Sequence, residues 1–194
     1  MNFCSQCGEK VVLTIPPDDN RERFVCNACG AIHYQNPSNV TGAILTWQDK
    51  VLLCKRAIEP RYGKWTLPAG FMENNETVHQ AAARESIEEA NANPGHLSLF
   101  GVFSLPYISQ VYLMLSGPLL DDDVSPGIES LEVGLFTEQQ IPWDELAFPV
   151  IEHSLKLYYQ YGLNAGIVHQ AKFSKTSDNK VLIHSEIRSI ANTT

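Results

Sequence analysis

The chain has 194 residues, 44% of them hydrophobic and 19% charged, which suits one full domain plus a small module. Its formal charge of -8 argues against a nucleic-acid partner, because such a surface needs basic side chains to displace counterions. No apolar run reaches the length of a membrane span, and the first residues lack a charged-then-apolar leader, so no membrane partner and a cytoplasmic location are expected.

Residues 1–34 read as a first unit. Cys4-Ser-Gln-Cys7 and Cys26-Asn-Ala-Cys29 are two C-x-x-C pairs at zinc-ribbon separation, followed by Gly8 and Gly30. Glycine there suits a tight turn that aims backbone amides at thiolate sulfur. Four thiolates close a tetrahedral Zn2+ site with no open position, so the metal is expected to be structural. A disulfide framework needs an oxidising compartment, for which nothing in the sequence argues. A segment this short buries little core, so zinc would supply its folding energy.

Residues 35–165 read as the second unit. Strands are expected over 39–46 and 50–56, with Gln48-Asp49 as the turn between them. Cys54 fits no metal spacing and reads as a packed strand thiol. A loop with Pro60 and Gly63 leads to a helix expected to start near Asn74 or Asn75, either one the N-cap, and to end before Pro94-Gly95. Paired strands are expected over 96–105 and 109–116, broken at Pro106. Asp121-Asp122-Asp123 reads as a solvated loop, followed by a loop at 126–130 and a strand through Leu135-Phe136. Short helical turns are expected at 137–140 and 142–146. An amphipathic helix over 148–161 carries Val150, Ile151, Leu155 and Tyr158. Residues 166–194 form a C-terminal extension, in which Val168, Phe173 and 181–183 are strand or extended tail and 175–180 a flexible loop. Strands alternating with helices give an α/β sandwich.

The helix that begins after Asn75 carries the chemistry. Residues three and four apart share a helix face, so Glu85, Glu88 and Glu89 project to one side within a turn, while Ala83, Ile87 and Ala90 can pack on a sheet. Three carboxylates near a helix C-terminus repel one another and oppose the dipole. A hard divalent cation offsets that repulsion; the alternative is a solvated acidic face.

The rest of the stretch weighs toward the cation. Gly70, five residues, Glu76, seven residues, Arg84-Glu85, two residues, Glu88-Glu89 resembles the Nudix box of the Nudix hydrolases at every charged position. Two positions depart from it: Ser86 stands at a hydrophobic site and Asn91 at a glycine. The resemblance covers residues 39–161 and implies the Nudix fold, a mixed sheet between helices. Cys54-Lys-Arg56, Trp65-Thr-Leu-Pro-Ala-Gly70 and Pro126-Gly-Ile-Glu-Ser-Leu-Glu132 look most like the plant-type FAD and ADP-ribose pyrophosphatase group. The Ser-Gln-Pro-Trp-Pro-Phe run of NADH pyrophosphatases is replaced here by Pro106-Tyr-Ile-Ser-Gln-Val-Tyr112, which demotes NADH.

What the resemblance implies is Mg2+- or Mn2+-dependent hydrolysis of a pyrophosphate in a dinucleotide, with FAD or ADP-ribose preferred. The alternatives are an NADH pyrophosphatase and a non-catalytic nucleotide sensor, although sensors commonly lose box carboxylates. Glu85, Glu88 and Glu89 are the expected catalytic-metal ligands, with the carbonyl of Ala69 as a fourth. Arg84 is expected to orient Glu85 with Glu76 as its second partner, or else to clamp substrate. The general base is Glu85, Glu88 or a loop carboxylate, Glu129 before Glu132. Arg56 reaches a phosphate or pairs with an acid. Tyr34, Trp65, Phe71, Tyr107 and Tyr112 stack on a ring of the substrate or pack in the core. A homodimer is expected, since ribbon-bearing Nudix enzymes often pair.

Overall fold

A computed structural model describes residues 1–163 and 167–189. The chain packs as two compact units, Met1–Pro37 and the chain from Ser38 onward. The expected boundary at 165/166 and the residues beyond 189 lie outside the described residues.

The first unit is a small antiparallel sheet of β1 (Val11–Thr14), β2 (Arg23–Cys26) and β3 (Ile32–His33). Among its residues only Cys4, Pro16 and Cys26 are buried. Three buried side chains cannot offset the entropy of ordering so many residues, so the cysteine cluster must hold the unit together.

The second unit contains β4 (Ser38–Trp47), β5 (Lys50–Arg56), β6 (Trp65–Thr66), β7 (Ala69–Phe71), α1 (Val78–Ala90), β8 (Ser98–Leu105), β9 (Gln110–Pro118), β10 (Ser130–Phe136), α2 (Pro149–Tyr161), β11 (Ile167–Lys175) and β12 (Val181–Ser189). Its strands form one mixed sheet in the order β10-β5-β4-β9-β8-β11-β12, with β6 on β5 and β7 on β4. β4 and β9 run parallel, as do β8 and β11. The strand alternative is therefore the one that residues 167–189 take, and they complete one edge of the sheet.

Side chains alternate between two cores, as the period of a strand requires. Ile44, Val51, Leu53 and Met114 face the layer that holds Ile151 and Leu155 of α2. Ala43, Leu45, Leu52, Cys54 and Leu115 face the layer that holds Ala82 and Ala90 of α1. The helices therefore cover opposite faces, which is the expected α/β/α sandwich. Cys54 is buried in the second core, as its strand position implied.

Two local expectations are corrected. The N-cap of α1 is Thr77, not Asn74 or Asn75. Its hydroxyl accepts from Gln80 N–H at 3.2 Å, and the Gln80 side chain accepts from Thr77 N–H at 2.8 Å. This capping box satisfies two donors that a bare helix start leaves open. Asn75 has φ 69, which a helix start cannot use. Second, the docking face of α1 is Ala82, Ser86 and Ala90, while Ile87 is 52% exposed and Ala83 only partly buried. Small residues let the helix approach the sheet closely. The Ser86 hydroxyl is satisfied by Ala82 O at 2.7 Å, which is how a polar residue stands at a buried site.

Thr77→Ala removes the side-chain half of the box. It should lower unfolding stability by about 1 kcal/mol, read as a lower urea midpoint at unchanged slope.

Candidate active site

The cysteines of the first unit form a compact cluster, with all four Sγ atoms within 4.8 Å of one another. Cys4 Sγ lies 3.7 Å from Cys29 Sγ, and Cys7 Sγ 3.5 Å from Cys26 Sγ. A disulfide would need about 2.05 Å. A tetrahedron with metal–sulfur bonds of about 2.3 Å sets sulfurs roughly 3.8 Å apart. The geometry therefore fits zinc. Gly8 and Gly30 sit at φ +80 and +75, in the turns expected of them, and the Cys29 and Ala28 amides hold the Cys26 thiol down at about 7. His33 was not foreseen: its Nε2 lies 3.3 Å from Cys4 Sγ, where it can donate to a thiolate. Its place four residues after Cys29 is the only signal the sequence offered.

In the second unit, β4, β7, α1, the loop before β10 and the start of α2 surround a cavity of about 1420 Å³. Glu85, Glu88, Glu89, Arg84, Ala69, Glu129, Arg56 and Tyr112 all line it. Glu132 does not. It stands on the edge strand β10 opposite Lys55, whose Nζ is 3.3 Å away, and is thereby removed as a candidate base. Of the aromatic candidates, Phe71, Tyr107 and Tyr112 line the cavity. Trp65 is instead buried in the core, edge-on to Phe136, and Tyr34 belongs to the first unit under Arg23.

One guanidinium organises the carboxylates. Arg84 Nε and Nη2 donate to the two oxygens of Glu76 at 3.0 and 2.8 Å. Its Nη1 donates to Glu85 at 2.7 Å and to Glu88 at 2.8 Å, and Nη2 also reaches Phe71 O at 3.1 Å. A guanidinium has five N–H hydrogens. All five have acceptors here, so Arg84 orients carboxylates and has no donor left to clamp a substrate. The Arg84 fork and the Glu73 N–H hold the Glu76 carboxyl down at about 2.

The three box carboxylates are not equivalent. Glu85 and Glu89 are buried, whereas the Glu88 side chain stands at the rim, held by Arg84 four residues before it. Burial raises Glu85 despite Arg84. Burial, with the charge of Glu85, pushes Glu89 up to about 8, against the pull of Arg56. Glu89 Oε2 is buried and has no hydrogen-bond partner among the described residues. A buried acceptor without a donor is costly, and a hard cation is the partner that carboxylate oxygens fit. The residues present therefore suit Mg2+ or Mn2+. Arg56 sits across the cavity, with its Nε on Pro60 O at 2.9 Å and its guanidinium over the Phe148 ring at 5.2 Å. Phe148, at the start of the expected helix, is thus a cavity wall.

Glu89 gives a signed stability effect. Its ordinary value is 4.5 and its folded value about 8, so between those pH values the folded protein keeps a proton that the unfolded chain has lost. Stability through this group falls as pH rises across that window and levels off above it. In divalent-free buffer, Glu89→Gln should therefore be more thermostable than wild type at pH 9 and no more so at pH 4, as read by thermal melts.

Comparison with known proteins agrees with the geometry. A family of Nudix N-terminal zinc ribbons matches residues 2–35, and the NUDIX domain family matches residues 36–154. A NUDIX hydrolase from Nitrosomonas europaea of known crystal structure is 59% identical, with TM-score 0.80 over 82% of this chain and 91% of that one. An ADP-ribose pyrophosphatase of Methanocaldococcus jannaschii is 33% identical over 122 residues, 59% of this chain and 69% of the relative. The NAD-capped RNA hydrolase NudC of Photobacterium profundum is 27% identical over 139 residues, 71% of this chain but only 50% of the relative. The chain thus spans about half the length of that relative. With residues 2–35 and 36–154 both matched, the chain belongs to the Nudix hydrolase family and carries that family's zinc ribbon ahead of its NUDIX domain.

Proposed function

We propose that the second unit hydrolyses the pyrophosphate of a nucleoside diphosphate linked to a second moiety, with ADP-ribose or FAD preferred. The observation that carries this is the buried Glu89 oxygen without a partner, set beside Glu85 and across the cavity from Arg56. Glu85, Glu89 and Glu88, with the carbonyl of Ala69, would hold Mg2+ or Mn2+. That cation supplies charge neutralisation of the phosphates and a lowered pKa of water. The cavity of about 1420 Å³ exceeds the roughly 300–1,000 Å³ typical of drug-sized ligands, as a dinucleotide requires. Phe71, Tyr107 and Tyr112 offer ring faces.

In the reaction, a water oxygen bonds to one phosphorus, the bond from that phosphorus to the bridging oxygen breaks, and Glu129 accepts the proton of the water. Arg56 binds a phosphate oxygen. Arg84 holds Glu85 and Glu88 in place through its hydrogen bonds to both. The four free cysteines of the ribbon must stay reduced to serve as zinc ligands, which favours a cytoplasmic setting.

The likeness to NudC relatives favours a second reading, an NADH or NAD-capped substrate. Against it stands Pro106-Tyr-Ile-Ser-Gln-Val-Tyr112 in place of the NADH-type run.

The test is product release from ADP-ribose, FAD and NADH with Mg2+ or Mn2+. AMP should appear fastest from ADP-ribose or FAD, and Glu85→Gln should lower kcat by about 10² or more while nucleotide binding persists. A panel on which the wild-type chain releases nothing sinks the proposal. Fastest turnover of NADH would move it to the second reading.

A further inference from the structure

The C-terminal end of α1 is built into the loop that carries Glu129. A helix leaves its last carbonyls without internal partners. Here the loop supplies them: Ser125 N–H donates to Ala90 O at 2.9 Å, and Gly127 N–H to Glu89 O at 3.0 Å. Gly127 lies so close to the helix that a Cβ there would run into the Glu88 carbonyl oxygen.

Asn91 adds a side chain to this docking. It is the C-cap of α1, at φ 47 and ψ 28, and its N–H closes on Ile87 O. Its Nδ2 donates to Ser125 O at 3.2 Å and Ser125 Oγ at 3.1 Å, with Pro126 O at 3.4 Å. The cap does not need that side chain, because a left-handed C-cap suits glycine at least as well. The loop is held by its backbone, including Ala57 N–H to Glu129 O at 2.8 Å, and Asn91 adds the side-chain tether. Its apolar member, Ile128, is 99% exposed and contributes no packing. Glu129 shares the cavity with Glu85 and Glu89, so where the loop holds it matters to all three carboxylates.

We propose that Asn91 is a positioning residue whose side-chain amide holds the loop that carries Glu129 against the end of the metal-binding helix, fixing where Glu129 faces Glu85 and Glu89. The inference rests on the reading of Glu129 as proton acceptor, and it places the control of that group on a residue at the cavity edge that acts through the loop.

Asn91→Gly is the discriminating variant, since it keeps the cap and deletes only the tether. The thermal midpoint should stay near the wild-type value. Amide hydrogen exchange at Ser125 and Gly127 should quicken several-fold while the middle of α1 is unchanged. With ADP-ribose and Mg2+, kcat should fall about 2- to 10-fold, the worth of a lost hydrogen bond, at nearly constant KM. In a Glu129→Gln background, the same change should cost nothing further. Asn91→Asp, which turns the donor into a carboxylate facing carbonyls, should not restore kcat. Unchanged exchange at Ser125 and Gly127 overturns the tether whatever the substrate proves to be. Quickened exchange with an equal kcat loss in both backgrounds overturns the action through Glu129.

Discussion

The Arg84 guanidinium is the interaction on which the site depends. It bonds at once to the loop that enters α1, through Glu76 and the Phe71 carbonyl, and to the helix itself, through Glu85 and Glu88. Glu76 closes the circuit by accepting from Glu73 N–H. Burial raises the Glu85 carboxyl, and Arg84 opposes that rise while Glu88 and Glu129 add to it. The same guanidinium fixes the direction of Glu85 and Glu88 by bonding to both. Glu89 is left outside the network, and its proton is the one that a cation would displace.

The same helix is held from three directions. Its start is closed by the Thr77 and Gln80 box, its small-residue face lies on the sheet, and its end is closed by the loop from Ser125. Each closure uses backbone groups that a helix would otherwise leave to water. Their common effect is to remove slack: the helix cannot slide or fray without breaking a contact that also locates a carboxylate. A metal site tolerates little positional error, so tying the first and last turns to the surrounding loops is part of making it.

Much of this was legible in the sequence. The box spacing placed Arg84, Glu85, Glu88 and Glu89 together, and the cysteine spacing placed the zinc cluster, because local periodicity dictates both. What failed had non-local causes. Asn75 looked like a cap, but the loop takes it into a left-handed conformation, and the Thr77-x-x-Gln80 signal two residues on is the one the chain uses. Helical periodicity puts Ile87 on the side away from the carboxylates, with Ala83 and Ala90. The sheet instead selects the line of small residues, and Ile87 is left at the cavity mouth. The order of Glu129 before Glu132 agrees with their places: Glu129 precedes β10 and lines the cavity, whereas Glu132 lies on β10 opposite Lys55. β12 is faint in the sequence because it is the edge strand, with mostly exposed side chains, while the buried positions of β11 include His169 and so break the apolar alternation.

The charge balance of the cavity bears on how a pyrophosphate can enter it. Six carboxylates line it, Glu59, Glu73, Glu85, Glu88, Glu89 and Glu129, against the guanidiniums of Arg56 and Arg84. Arg84 is fully engaged by the protein, so Arg56 alone of the two is open to an anion. Like charges about 4 Å apart repel by about 4 kcal/mol at an effective dielectric near 20. A diphosphate brings two negative charges to a wall that is already acidic, on a chain of formal charge -8. One guanidinium stacked on Phe148 does not offset that. Under the proposed function, substrate and divalent cation are thermodynamically linked, each raising the affinity of the other by the same factor.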